Sequence, residues 1–208
     1  SWSGPEFTSA IQTIFSDTFT SGFGNWINIG GDKFDWTRDS GVADCAGSCL
    51  DTPGTGPSAD HTTGSGVYVY TETSAQLDGD TAYLEGPMIN FNAYGSEQIT
   101  FWYHMYGANM GTLEIEENTS GSWQPIWTLS GQQQSSESEA WRQATVNLSS
   151  LSGQGQIRFT STRGPGFTSE MALDDITITA GAVRIAFNPS RDSLLGSIGS
   201  AIKRLFSH

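Results

Sequence analysis

The chain has 208 residues, a length that fits one β domain with terminal extensions. Nine Lys plus Arg stand against 22 Asp plus Glu, for a formal charge of −13; no basic stripe exists for a nucleic acid, and an acidic body disfavours anionic lipid. With 25 Gly and 12% aromatics, the composition favours short strands joined by Gly-rich turns, and no run approaches the roughly 18 apolar residues that span a bilayer.

Residues 1–13 read as an N-terminal extension or linker, lacking the basic start and apolar run of a signal peptide. In "IFSDTF", residues 14–19, Phe15, Asp17 and Phe19 share one face of a first strand. "GFGNWINIGG" follows as a turn and short strand, and "KFDWTRDSG" places Phe34 and Trp36 on one face with Asp35 on the other. Residues 40–66 form a long Gly/Pro/Ser/Thr/Asp loop, of a length that is usually functional or pinned by a staple. "VYVYTET" alternates aromatics, "TAYLEGPMINF" is a strand broken at Gly86-Pro87, and "QITFWYHMYG" is the most apolar strand and therefore central. "GTLEIEEN" and "SWQPIWTLSG" pair as a hairpin, "WRQATVNLSS" and "GQIRFTSTRG" follow, and "SEMALDDITIT" closes the domain. Roughly eleven short strands, with turn signals about every ten residues, have the rhythm of an antiparallel two-sheet sandwich over residues 14–182.

Two features lie outside that rhythm. Cys45 and Cys49 in "DCAGSCL" suit a small loop disulfide, with free thiols as the alternative; two sulfurs are too few for a structural zinc. Residues 183–208 read as a C-terminal extension whose Leu194, Leu195, Ile198, Ile202, Leu205 and Phe206 recur at helical spacing. From residue 184 onward it carries four of the nine basic residues and one acidic residue. Such a short amphipathic helix either packs on its own domain or docks on a partner chain or a membrane surface.

"DTFTSGFGNW", "FDWTRDSG", "GTGPSADHTTGSGVYVY", "AYLEGPMINF", "ITFWYHMYGANMGTLEI", "WRQATVNL" and "MALDDITI" occur in the order and spacing of the MAM domain, the family named for meprin, the A5 antigen and the receptor tyrosine phosphatase mu. The chain resembles that family over about residues 15–180. The resemblance implies an all-β jelly-roll sandwich in a secreted or cell-surface protein, used for adhesion, oligomerisation or docking and without catalysis of its own. One departure is "FTSGFGNW", which has Thr20 and Phe23 where animal members carry Glu and Cys, pointing to a divergent, microbial-type member.

The acids raise the chemical question. Continued alternation in "ALDDITI" puts Asp174 on the core face with Ile176 and Ile178, and an inward carboxylate needs donors or a cation. First and last strands of a jelly roll commonly lie side by side, so Asp17 and Asp174 can converge. With Asp60 and Asp32 from loops they would form a hard-oxygen site suited to structural calcium, and the resemblance supports a comparable place for that ion. The alternative is hydrogen bonding from Thr, Trp or backbone N–H groups with no metal. In "LEIEEN" the i, i+2, i+4 set is Glu114, Glu116 and Asn118, which lacks the carboxylates of a retaining glycosidase and reads as a solvated acidic face. No Ser-His-Asp set or G-x-S-x-G elbow is present. Most tryptophans should be core, whereas Trp123 and Trp127, near a turn, are candidates for stacking on sugar rings.

The sequence thus supports a non-catalytic interaction module for a protein partner or self-association. The alternatives are a carbohydrate-binding accessory module of a secreted hydrolase, or a structural subunit docking through its C-terminal helix.

Overall fold

A computed structural model describes residues 11–40 and 52–181. Cys45, Cys49 and the apolar residues of the C-terminal extension (Leu194, Leu195, Ile198, Ile202, Leu205 and Phe206) lie outside the described residues.

Twelve strands run in chain order: β1 (Gln12–Asp17), β2 (Ile27–Asn28), β3 (Trp36–Asp39), β4 (Tyr68–Thr71), β5 (Thr81–Glu85), β6 (Ile89–Asn90), β7 (Gly95–His104), β8 (Thr112–Asn118), β9 (Gln124–Ser130), β10 (Arg142–Asn147), β11 (Gln154–Thr162) and β12 (Ala172–Gly181). The count exceeds the expected eleven because Gly86-Pro87 divides one apolar run into β5 and β6. All pairings are antiparallel. Sheet A has the order β10-β7-β12-β4-β3, with β1 also on β12, and sheet B has the order β2-β5-β11-β8-β9, with β6 also on β11. The domain is an antiparallel two-sheet jelly-roll sandwich.

The alternating strands explain the core. Leu84 from β5, Ile99 and Phe101 from β7, Leu113 and Ile115 from β8, and Ile157 and Phe159 from β11 are all essentially inaccessible and meet between the sheets. Trp26 closes one side, with its ring centroid 5.2 Å from Phe159 and 5.9 Å from Phe15. Such large rings bury much apolar area each, and they compensate for strands of only two to ten residues.

Two strands carry the topology. Along one edge β12 pairs with β7; the other edge is shared, by β4 at Ala172–Leu173 and by β1 at Ile176–Ala180. The expected adjacency of first and last strands is therefore present. Between those two halves the register shifts, and Asp175 has φ 47, left-handed backbone that Asp tolerates better than most residues. This bulge overturns one expectation. Leu173 points into the core opposite Tyr103, Asp174 points to the outer face opposite Trp102, and the extra residue returns Ile176 and Ile178 to the core. Asp174 does not share a face with Ile176.

Candidate functional site

The outer face of sheet A is covered. Tyr68 and Tyr70 from β4 and Ala172 from β12 form a second apolar cluster there, with Trp141 packed on it. The segment 52–66 lies across this cluster and is held by directional bonds. Trp141 Nε1 donates to the Ala59 carbonyl at 3.0 Å, the Tyr68 hydroxyl donates to the Pro57 carbonyl at 3.2 Å, and the Ser58 amide donates to the Glu137 carbonyl at 3.0 Å. His61 lies flat on Trp102, centroids 3.7 Å apart and planes 17° from parallel. His104, also on this face, is fully buried beside Trp141, and burial above all lowers its pKa to about 4, so it stays neutral.

The aspartates are bound into the same clasp. The His61 amide donates to Asp174 Oδ2 at 3.1 Å and the Asp175 amide to Asp174 Oδ1 at 2.8 Å. Asp175 Oδ2 lies 2.6 Å from His61 Nδ1 and 2.5 Å from Thr62 Oγ1. Asp60 accepts from the Thr63 amide at 2.9 Å, the Gly66 amide at 2.7 Å and the Thr63 hydroxyl. A Cβ on Gly66 would stand 2.5 Å from the Asp60 carboxylate, which is why glycine ends this turn. Burial pushes Asp60 up, but the Gly66 and Thr63 amides outweigh it and hold the carboxyl below its usual value. Asp174 goes the other way: burial first and the Asp175 charge second push it up to about 7, against the amides of Asp175 and His61.

The four acids expected to share one ion do not form one donor set. Asp17 points inward from β1 opposite Ile176, where its carboxylate accepts from the Asn25 amide at 3.3 Å and from Asn25 Nδ2 at 3.1 Å. Gly24, at φ 62, passes so close that a Cβ would overlap Asp17. Asp174 is on the opposite side of the sheet, and the bulge is the reason. Asp32 accepts from the Tyr83 amide at 2.7 Å on the sheet B side. Asp60 and Asp174 are near enough for one charge to act on the other, but their oxygens face N–H and O–H donors. Among the described residues no group of three or more His, Cys, Asp or Glu is placed to hold a metal ion. Among the described residues the donor set does not fit calcium.

The outer face of sheet B is differently built: its central Arg158 and Thr160 are buried among half-buried neighbours. Alternation along β11 turns Gln156, Arg158 and Thr160 outward between the buried Ile157, Phe159 and Ser161. The Arg158 guanidinium carbon lies 3.9 Å from the Tyr83 ring centroid and 4.3 Å from that of Trp123, a cation held between two aromatic faces. Its Nε donates to Glu116 Oε2 at 2.7 Å, and Thr160 Oγ1 donates to the same oxygen at 2.5 Å. Gln156 Nε2 donates to Glu85 Oε1 at 2.6 Å, and Thr128 Oγ1 to Glu114 at 3.2 Å. The registers Glu85–Arg158–Glu116 and Tyr83–Thr160–Glu114 set these side chains in two rows across three strands. Glu116 is therefore an ion-pair partner and not simply a solvated acid. Trp123 is half-buried on this face; Trp127, also half-buried, packs from β9 toward the core, its ring centroid 5.3 Å from Phe101. Arg158, Tyr83 and Thr160 were missed in the sequence, where only the outward phase of "QIRFT" hinted at them.

One sheet face is closed by a clasp, and the other holds a guanidinium between two aromatic rings on a two-sheet β-sandwich. Residues 18–182 match the model of the MAM domain, meprin/A5/mu, and the chain belongs to that family. It is 33% identical over 180 residues to MAM domain-containing glycosylphosphatidylinositol anchor protein 2 of Mus musculus, covering 81% of this chain and 18% of that protein. It is 36% identical over 155 residues to MAM domain-containing glycosylphosphatidylinositol anchor protein 1 of Homo sapiens, covering 72% and 15%. The chain thus spans under a fifth of the length of these relatives. Among solved structures, the K1 cleaved adhesin domain of Lys-gingipain from Porphyromonas gingivalis W83 aligns with a TM-score of 0.57 at 19% identity, over 81% of this chain and 98% of that one. The CBM22-1-GH10 modules of endo-1,4-beta-D-xylanase 10B from Clostridium thermocellum, complexed with xylohexaose, align with a TM-score of 0.51 at 17% identity, over 81% and 28%. These two likenesses show the fold. Membership of a family whose relatives include anchored surface proteins makes this a secreted or cell-surface domain.

Proposed function

We propose that the domain is a non-catalytic extracellular interaction module that engages a protein partner, another copy of itself included, through the outer face of sheet B. The observation that carries this reading is the Tyr83–Arg158–Trp123 stack on the sheet face away from the 52–66 segment, where half-buried Tyr83 and Trp123 flank a buried Arg158. Tyr, Trp and Arg are the residue types that dominate binding energy at protein interfaces, because they pair a large rigid surface with few directional donors. Pre-stacking the guanidinium lowers the entropy cost of using it. The carboxylates of Glu85, Glu114 and Glu116 around the single Arg158 add a charge pattern that selects partners of opposite sign.

A second reading, recognition of a glycan, rests on the same rings, since Tyr83 and Trp123 are flanked by the amide and carboxylates of Gln156, Glu85 and Glu116. One experiment separates the two. Beads coated with the domain are assayed for homotypic clustering and for adhesion to cells, and the soluble domain is printed against a glycan array. Loss of adhesion or clustering for Trp123→Ala and Arg158→Ala, with wild-type melting curves and no glycan signal, supports the protein reading. A glycan signal that Trp123→Ala removes supports the second. Adhesion unchanged in both variants, together with an empty array, defeats the proposed face.

A further inference from the structure

Among the described residues β10 is an end strand of sheet A, paired with β7 along one side, and its register runs from Arg142 to Asn147 without a shift. It holds no proline and no lysine, so its outer row of N–H and C=O groups lacks the usual guards against pairing with another chain. At its end stands Asn147-Leu148-Ser149, an asparagine with serine two residues on and no proline between. Val146 and Leu148 enter the core, at 7% and 0% exposure, and Asn147 between them is turned outward and exposed. Its Oδ1 accepts from the Ser149 amide at 2.8 Å, which fixes the carboxamide by its oxygen and leaves the nitrogen unbonded among the described residues. The surroundings are uniform. Across β10, β7 and β12 the outward residues are Asn147, Gln98 and Thr179 in one row and Thr145, Thr100 and Thr177 in the next. All six are uncharged and polar, in a chain of formal charge −13. The clasp contacts of His61 and Thr62 are made further along the face, at Trp102, Asp174 and Asp175. A protein partner finds no aromatic anchor and no charge in these two rows, whereas hydroxyl and amide groups can bond to the hydroxyls of a sugar.

We propose that Asn147 is a modification site that carries an N-linked oligosaccharide, added as the chain passes through a secretory pathway. In that step Nδ2 attacks the anomeric carbon of an oligosaccharide held on a lipid pyrophosphate. The C–N bond forms as the C–O bond to the pyrophosphate breaks. The lipid pyrophosphate leaves with the electron pair, the amide gives up one proton, and nothing is oxidised or reduced. Transfer acts on the chain as it emerges, so the fold must afterwards tolerate a bulky, hydrated group. An outward, unbonded Nδ2 on an uncharged polar face does so. Attached at the end of β10, the oligosaccharide also shields the free strand edge from other chains. A second triplet, Asn118-Thr119-Ser120, is less suited, because Asn118 is half-buried opposite Gln156 on the outer face of sheet B. The proposal rests on the extracellular place of the domain and not on the sheet B face.

The test directs the whole chain through the secretory pathway of cultured animal cells and reads the secreted product by mass spectrometry, before and after peptide-N-glycosidase. The expected result is a heterogeneous mass above that of the 22.4 kDa polypeptide, which the enzyme collapses. Cleavage in heavy-oxygen water should leave a labelled aspartate at position 147. Asn147→Gln and Ser149→Ala should each abolish that modification. The second variant keeps the Asn147 side chain and the backbone amide that bonds to it, so its effect reads the triplet and not the fold. A secreted chain whose peptide around position 147 is unmodified would overturn the proposal, as would sugar still present at Asn147 in the Ser149→Ala variant. Occupancy is read first on the unaltered chain, so the outcome does not depend on either variant folding, nor on whether Trp123→Ala affects adhesion.

Discussion

The outer faces of the two sheets begin from the same rule and end differently. On both, strand alternation turns every second side chain away from the core. On sheet B the result is polar, with Arg158 pairing with Glu116, Thr160 bonding to the same carboxylate and Gln156 bonding to Glu85, although Arg158 and Thr160 are themselves buried. On sheet A the alternating residues include Tyr68, Tyr70, Ala172, Trp102 and His104, which are too apolar to leave wet. The 52–66 segment covers them, and its cost is the burial of Asp60 and Asp174. A face whose polar residues pair with one another is satisfied without the 52–66 segment, whereas an aromatic one acquires a lid and buried acids. The sequence of the outward residues decides which.

The bulge at Asp175 is where this comparison can be broken most severely. Deleting Thr177, beyond the bulge, would turn either Ile178 or Ile176 out of the core, since a one-residue slip moves the following side chains to the other face. Loss of at least about 4 kcal/mol, or no folded protein, is expected. Deleting Asp175 instead removes only the extra residue and leaves Asp174 outward and Ile176 inward in plain alternation, so a smaller loss is expected, that of the Asp175 contacts with His61 and Thr62. Urea unfolding with tryptophan fluorescence measures both, and an Asp175 deletion variant that fails to fold would refute the assignment of Asp174 to the outer face.

Next in size is the lid itself. Trp141→Ala removes the bond to the Ala59 carbonyl and the edge contact with Tyr68, whose ring centroid is 5.5 Å away. A cost of about 2–4 kcal/mol follows for a large packed ring. Amide exchange in residues 58–66 should accelerate ahead of exchange in β8 and β11. Trp123→Ala, on the outer face of sheet B, should cost under about 1 kcal/mol, because its ring is half-buried and packs on the Arg158 guanidinium and not on an apolar cluster. Equal losses for the two tryptophans would remove the distinction between the two faces.

Alternation carried the sequence reading a long way, and its failures are physical. It located the β8–β9 hairpin, the Gly86-Pro87 break and the first-to-last strand pairing, because each depends on local chemistry or on a topological rule. It misplaced Asp174 because "ALDDITI" keeps a perfect period of two through the bulge. The only local sign of the bulge is the doubled aspartate, a residue that accepts positive φ. Arg158 was legible as outward-facing, but its stacking depends on Tyr83 from β5 and Trp123 from the β8–β9 turn, which the registers bring together from different strands. Likewise nothing in "YTET" or "SEMA" alone shows that Glu72 meets Glu170.

A smaller effect tests the acids under the lid by pH. Asp174 and Glu170 are both raised, to about 7 and about 9, from unfolded values near 4. For a raised group the native state binds the proton more tightly. Its stabilising contribution is full below the unfolded pKa and is lost as pH rises toward the folded value. Stability from Asp174 should therefore fall between about pH 4 and 7, and from Glu170 between about pH 4.5 and 9. Asp174→Asn should flatten the first window and Glu170→Gln the second, each visible as a melting temperature roughly 3–6 °C above wild type at the upper end of its window. A wild-type stability that rises steadily from pH 4 to 9 would contradict both.

The smallest expected effect concerns calcium, and it distinguishes a hydrogen-bonded clasp from an ion-bonded one. A hard divalent ion draws its affinity from ionised carboxylates with oxygens free to turn toward it. At the clasp, the Asp174 oxygens accept from two backbone amides, and the Asp60 oxygens accept from two more and a hydroxyl. An ion would have to displace amide donors that would then be left buried and unpaired, at roughly 1–3 kcal/mol each. Asp17, the acid that would complete the set, is committed to Asn25 on the other side of the sheet. Melting temperatures measured in millimolar calcium and in chelator should therefore agree within about 1–2 °C, the shift of a fraction of a kcal/mol. A rise of several degrees with calcium, removed by Asp60→Asn, would show instead that the amides yield to an ion and that charge closes the lid.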